Sequence, residues 1–223
     1  MTTSPPIFAS PALPSEVLRY IIHHCAWPTT LIVCSSKEDF IASFAHDVAS
    51  MPGAHPDAPE QTISSSPEVL TASLQQLGVT RHIQAVFVPT VSHLRAYLAA
   101  FPAGVNKVPP PPVADGLPSN ARLVVYGLLD THRESSEWSA QALGNTLAVL
   151  IETATDLAVQ AVVIEPSQQG DEPVSMDTLL GEHLPVLNGG SHRYSTAGFA
   201  DRRVQVRRVL GRWFQFKEVT WKR

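Results

Sequence analysis

The chain has 223 residues, of which 44% are hydrophobic and 16% charged, and its formal net charge is −4. That composition supplies one sizeable globular core and excludes a disordered or collagen-like chain. No apolar run approaches the roughly 18–20 residues of a membrane span, and "MTTSPPIFASPALPSE" lacks the basic start and apolar centre of a signal peptide.

Two cysteines, Cys25 and Cys34, are too few for a disulfide framework, so a reducing compartment is expected. Pro5, Pro6, Pro11 and Pro14 keep the start of the chain extended. Ser15 then reads as the N-cap of a helix, "SEVLRYIIHHC", with Glu16 in its first turn and Leu18, Ile21, Ile22 and Cys25 along its apolar stripe. The run "TTLIVCSS" (29–36) is β-branched and apolar, hence a buried strand. A helix follows in "SKEDFIASFAHDVA", with Phe40, Ile41, Phe44 and Val48 expected on its inner face.

Residues 50–66 have the composition of a loop, and a helix is expected over 67–77. "IQAVFVPT" (83–90) reads as a strand and "VSHLRAYLAAF" as a helix that turns Leu94, Tyr97, Leu98 and Phe101 inward. Six prolines make 102–120 a surface excursion. Its "PPPP" is a spacer or, alternatively, a ligand for an aromatic groove.

Residues 122–129, "RLVVYGLL", read as a buried strand, followed by a helix over 136–154 that buries Trp138, Leu143, Leu147, Leu150 and Ile151. "AVQAVVIEP" is another apolar strand, and "GEHLPVLNGG" a short one. "RRVQVRRVLGRWFQFKEV" alternates like a hairpin with its turn near Gly211. Strands alternating with helices imply an α/β fold: a largely parallel, three-layer sheet in one domain spanning 1–223, extended at one edge by a C-terminal antiparallel β-hairpin.

Charge is unevenly distributed. Residues 201–223 hold eight basic and two acidic groups, which leaves eight basic and eighteen acidic groups for the first 200 positions. A basic end on an acidic body points to a polyanion or an acidic partner. With Val204 and Val206 facing inward, Arg203 and Arg207 face out, and Arg208 and Arg212 flank the turn. Trp213, Phe214 and Phe216 interleave aromatic surface with this charge and with Lys217, a mixture suited to single-stranded nucleic acid. The competing reading is an edge hairpin that its arginines protect from aggregation.

Other candidate chemistry is sparse. No Gly-x-x-x-x-Gly-Lys-Ser/Thr is present; Lys37 follows two serines without a glycine, and "SPALPSE" before the first helix lacks both glycine and lysine. His23, His24, Cys25 and Cys34 have no usual zinc spacing, since adjacent helical histidines point about 100° apart. Asp130 and His132 with Ser135 or Ser136 lack the Gly-x-Ser-x-Gly elbow of a hydrolase, and Glu165 is a lone carboxylate at a strand tip.

Taken in order, these segments resemble the RecA-like recombinase paralogues, especially the small accessory subunits of the Shu type. The resemblance covers nearly the whole chain through individually weak motifs: a first helix in the phosphate-loop position, the strand "TTLIVCSS", the pair "IQAVFVPTVSHLRAYL", a magnesium-strand equivalent, a long helix, another strand and a C-terminal β segment. The family's magnesium strand ends in Asp, often followed by Gly-Leu. Here "LVVYGLL" keeps Gly127 and Leu128 but places Tyr126 where the Asp belongs, and Asp130 comes later.

The resemblance therefore implies a P-loop NTPase-like fold without ATPase activity or cofactor, a pseudo-ATPase in the nucleus. Its role would be in DNA repair by homologous recombination, as a subunit pairing with a related RecA-like or Shu-type subunit. It would assist a recombinase filament on single-stranded DNA through Arg203, Arg207, Arg208, Arg212, Trp213 and Lys217. A RecA-like subunit of the Elongator complex, acting in transfer RNA modification, is the alternative. A hydrolase using Asp130, His132 and Glu165 is the third reading.

Overall fold

Among the described residues, six strands form one parallel sheet in the order β3-β2-β4-β5-β1-β8. They are β1 (Ile7–Ala12), β2 (Ala26–Val33), β3 (Ile83–Phe87), β4 (Ala121–Tyr126), β5 (Gln160–Pro166) and β8 (Gln215–Lys217). The computed structural model describes residues 4–50, 80, 83–101, 121–167, 174–186 and 202–221. The expected loops at 50–66 and 102–120 and the expected helix at 67–77 lie outside those residues, save Ser50, which caps the second helix.

Among the described residues the helices are α1 (Pro14–His24), α2 (Lys37–Ala49), α3 (Val91–Ala99), α4 (Leu128–Arg133), α5 (Ala140–Asp156), α6 (Met176–Gly181) and α7 (Val206–Leu210). Two cores follow from the two-residue period of the strands. Along β4, Leu123 and Val125 join Leu94 and Leu98 of α3 and Leu143, Leu147 and Leu150 of α5. Val124 and Tyr126 face the opposite side, with Val17 and Ile21 of α1 and Phe40 of α2. Because helices cover both faces, the middles of the central strands, residues 31–33, 123–126 and 161–164, are apolar on both sides.

β1 was expected only as an extended proline-rich lead, yet it lies inside the sheet between β5 and β8. Pro11 is accommodated because the β1–β5 register shifts between Ala9 and Ala12. Nor is Ser15 an N-cap: Leu13 holds that position and Pro14 begins α1, where its missing N–H costs nothing. On α2, Phe40 and Asp47 are buried, Phe44 and Val48 half-buried, and Ile41 is 50% exposed, contrary to its expected inward placement. The strand expected over 122–129 stops at Tyr126. Gly127, at φ 83°, bends the chain into α4, so Leu128 and Leu129 are buried from a helix.

The small antiparallel β pair is present, but its members differ from those expected. β6 (His183–Pro185) pairs with β7 (Arg203–Gln205), so the arms around Gly211 do not pair with each other. Residues 206–210 form α7, burying Val206, Val209 and Leu210 at helical spacing. β8 then extends the main sheet parallel to β1, not antiparallel as expected.

Candidate functional site

Leu13 alone joins β1 to α1, and a strand-to-helix junction of this kind is where phosphate-binding folds offer free backbone N–H groups. Here the chain's own carboxylates use them. The Leu13 N–H donates to Glu16 Oε2 at 2.9 Å, and the Ser15 N–H donates to Asp47 Oδ2 at 3.0 Å. Pro14 has no N–H to offer. Ser15 is 1% and Asp47 3% exposed, so the second bond lies away from water.

Tyr126 closes the junction from the neighbouring strand end. Its hydroxyl donates to the Ala12 carbonyl at 3.0 Å, and its ring meets Phe40 edge-on with centroids 5.9 Å apart. Burial pushes the Tyr126 hydroxyl well up from its ordinary value, and the charge of Glu165 adds to the effect. It is therefore a neutral donor, where a magnesium site would need a carboxylate.

The end of β5 supplies that carboxyl group, turned to another use. Glu165 Oε1 accepts the Leu129 N–H at 3.0 Å, anchoring the first turn of α4, whose N-cap Gly127 has no side chain to do so. Glu165 is 1% exposed, and among the described residues no donor reaches Oε2. Burial first, then the Asp130 charge, push its carboxyl up to about 8, against the opposing pull of the Leu129 N–H. At neutral pH it is mainly protonated. Beside it, Thr131 Oγ1 lies 2.6 Å from the Cys34 carbonyl, tying the start of α4 to the end of β2. Burial pushes the Cys25 thiol up to about 12 and that of Cys34 higher still, so both are thiols at neutral pH.

The residues of the hydrolase reading do not meet as a triad. His132 is fully buried, with Nδ1 3.1 Å from the Glu137 carbonyl and Nε2 3.0 Å from Thr146 Oγ1. Desolvation holds the imidazole below its ordinary value, so it is neutral. A carbonyl only accepts, so Nδ1 carries the proton and Nε2 accepts from Thr146. Arg95 braces the same cluster, donating to Thr146 Oγ1 at 2.9 Å and Glu137 Oε2 at 2.7 Å. Asp130 pairs instead with Arg133, and Ser135 Oγ donates to the His132 carbonyl. Lys37 is exposed in the first turn of α2, and no group of three or more His, Cys, Asp or Glu is placed to hold a metal among the described residues.

The basic residues singled out from sequence occupy consecutive elements at one end of the chain. Arg203 is on β7, Arg207 and Arg208 on α7, Arg212 and Trp213 in the turn after it, and Lys217 on β8 at the sheet edge. All six are exposed, Trp213 at 38%. Phe214 is buried and Phe216 half-buried, so two of the three aromatics belong to the core side. Arg207 pairs with Asp177, and its Cζ lies 5.7 Å from the centre of the Phe216 ring. Sequence reasoning missed Asp47, whose role depends on a contact 32 residues away that no local pattern announces.

No family model matches the chain, and no curated protein matches it. Among solved structures, a DnaB-like replicative helicase, described with its interactions with primase, matches 77% of this chain and 42% of its own at 13% identity and a TM-score of 0.37. The chain thus spans less than half the length of that helicase. A likeness this distant fixes neither family nor activity. No helix among the described residues is long and apolar enough to cross a membrane.

Proposed function

We propose that this chain is a non-catalytic, RecA-like subunit of a nuclear DNA-repair complex acting in homologous recombination. It pairs with a related RecA-like or Shu-type subunit and assists recombinase assembly on single-stranded DNA. The observation that carries the reading is the β1–α1 junction, where Glu16 and Asp47 accept the N–H groups that a nucleotide phosphate would need. Tyr126, bonded to the Ala12 carbonyl, takes the place of the magnesium carboxylate. Phosphoryl transfer depends on positioned positive charge and metal, and this junction presents acidic groups instead.

The exposed Arg203, Arg207, Arg208, Arg212 and Lys217, with Trp213 among them, supply the nucleic-acid contacts. Affinity purification of the tagged chain from cells treated with a DNA-damaging agent, followed by mass spectrometry, tests the assignment. Recovery of a related RecA-like subunit together with a recombinase is expected. Recovery of Elongator subunits in their place overturns it.

A further inference from the structure

The side chain of Arg122, at the start of β4, lies beneath α1 on the sheet face that carries Val124 and Tyr126. Its Cζ sits 5.1 Å from the centre of the Tyr20 ring, a cation–π geometry that fixes the guanidinium in place. Trp221 meets the same ring edge-on, with centroids 5.4 Å apart and an interplanar angle of 85°. The tail bearing Trp221 is itself held down, because Ser10 Oγ bonds the Val219 carbonyl at 3.0 Å and the Val219 N–H at 2.8 Å. One tyrosine therefore gathers two cation- or donor-bearing side chains from distant parts of the chain.

Their donors lack acceptors. Arg122 Nε and Nη1 and Trp221 Nε1 are all buried, and among the described residues no hydrogen-bond partner reaches any of the three. Burial pushes the guanidinium down from its ordinary value. A buried donor left without an acceptor is destabilising, and more so when the donor is charged. Three such donors around one ring are therefore matched by a group that brings several acceptor oxygens and negative charge. Arg122, Tyr20 and Trp221 are half-buried as residues but the three nitrogens themselves have no accessible surface, so a group that binds them must first displace the side chains covering them.

We propose that Arg122 and Trp221, arranged about Tyr20, form a binding site for an oxyanion, a carboxylate or a phosphate, beneath α1. Guanidinium N–H groups and an indole N–H are the donors that carboxylate and phosphate oxygens accept. The site is separate from the β1–α1 junction and from the arginines of α7, and it does not depend on the function proposed above.

The test is titration of the full chain with inorganic phosphate and, separately, acetate, at ionic strength held constant with sodium chloride. The indole N–H resonances are followed by NMR, and Trp221→Phe assigns the Trp221 signal while keeping an aromatic ring against Tyr20. The Trp221 resonance is expected to move saturably with at least one of the two ions, and the tighter one identifies the oxyanion class. Arg122→Met is expected to weaken that response by about tenfold or more. No saturable movement with either ion means that water alone serves these donors and overturns the proposal. So does an equal response in Arg122→Met. Should Arg122→Met fail to fold, Trp221→Phe decides: its thermal stabilisation by the ion must be weaker than that of the wild-type chain, and equal stabilisation overturns the site.

Discussion

The Asp47 carboxylate on α2 accepts the backbone N–H of Ser15 in the first turn of α1 at 3.0 Å, with both residues buried. The helix end that attracts phosphate in nucleotide-binding folds is thus committed to an internal bond between two helices packed on one face of the sheet. Replacing Asp47 with Ala strands a buried donor, and a loss of about 1–3 kcal/mol is expected in urea denaturation. Asp47→Asn keeps an acceptor oxygen and should lose distinctly less. Equal stability of Asp47→Ala and wild type would show that the bond contributes nothing.

Glu165 gives the fold a pH dependence whose sign follows from its burial. The folded chain keeps this proton up to about pH 8, whereas the ordinary value is 4.5. Between those limits the unfolded chain has released a proton that the folded chain still holds, so stability falls as pH rises. The slope approaches roughly 1.4 kcal/mol per pH unit from this one group. Glu165→Gln should flatten the difference in urea midpoint between pH 5 and pH 8. An unchanged slope would mean that Glu165 is ionised throughout.

Gly127 turns β4 into α4 at φ 83°. A Cβ there would meet nothing closer than Pro166 Cγ at 3.6 Å, so the cost of Gly127→Ala comes from the backbone and not from collision. A loss of about 1–2 kcal/mol is expected in thermal unfolding. A much larger loss would point to a rearranged α4, visible as an altered Leu129–Glu165 contact.

Binding of single-stranded DNA should weaken with salt by a log–log slope of roughly 0.7 per phosphate contact. The double variant Arg207→Ala with Arg208→Ala should reduce that slope by roughly 1.4 and lower affinity at every salt concentration. Its fold should survive, because both side chains are exposed and the Arg207–Asp177 pair is a surface ion pair. Asp177→Asn releases Arg207 and should strengthen binding. Wild-type affinity and slope in the double variant would leave Arg207 and Arg208 as a solvated face of α7 with no part in binding.

Where one period and one face decided an element, the sequence was legible. Apart from Thr29, Thr30, Ser35, Ser36, Arg122 and Glu165 near their ends, "TTLIVCSS", "RLVVY" and "AVVIE" are apolar because both sheet faces are covered, and α5 shows Leu143, Leu147 and Leu150 at helical spacing. The C-terminal segment was ambiguous for a physical reason. Val204 and Val206 alternate as in a strand, yet Val206, Val209 and Leu210 equally satisfy a helix, and packing beside α5 and α6 selects the helix. β1 was hidden by its prolines, which the register shift near Pro11 accommodates. Tyr126 was legible as a departure from a carboxylate. Its bond to Ala12, the buried Asp47 and the Arg122–Tyr20–Trp221 cluster were not, since each joins residues far apart in the chain.

The most direct test of the account is a measurement of magnesium-ATP binding and turnover by the purified chain. With Glu16 and Asp47 holding the N–H groups of the β1–α1 junction, no turnover by the chain is expected, and Lys37→Ala should change nothing. Reproducible hydrolysis by the chain alone that is abolished by Lys37→Ala would contradict it.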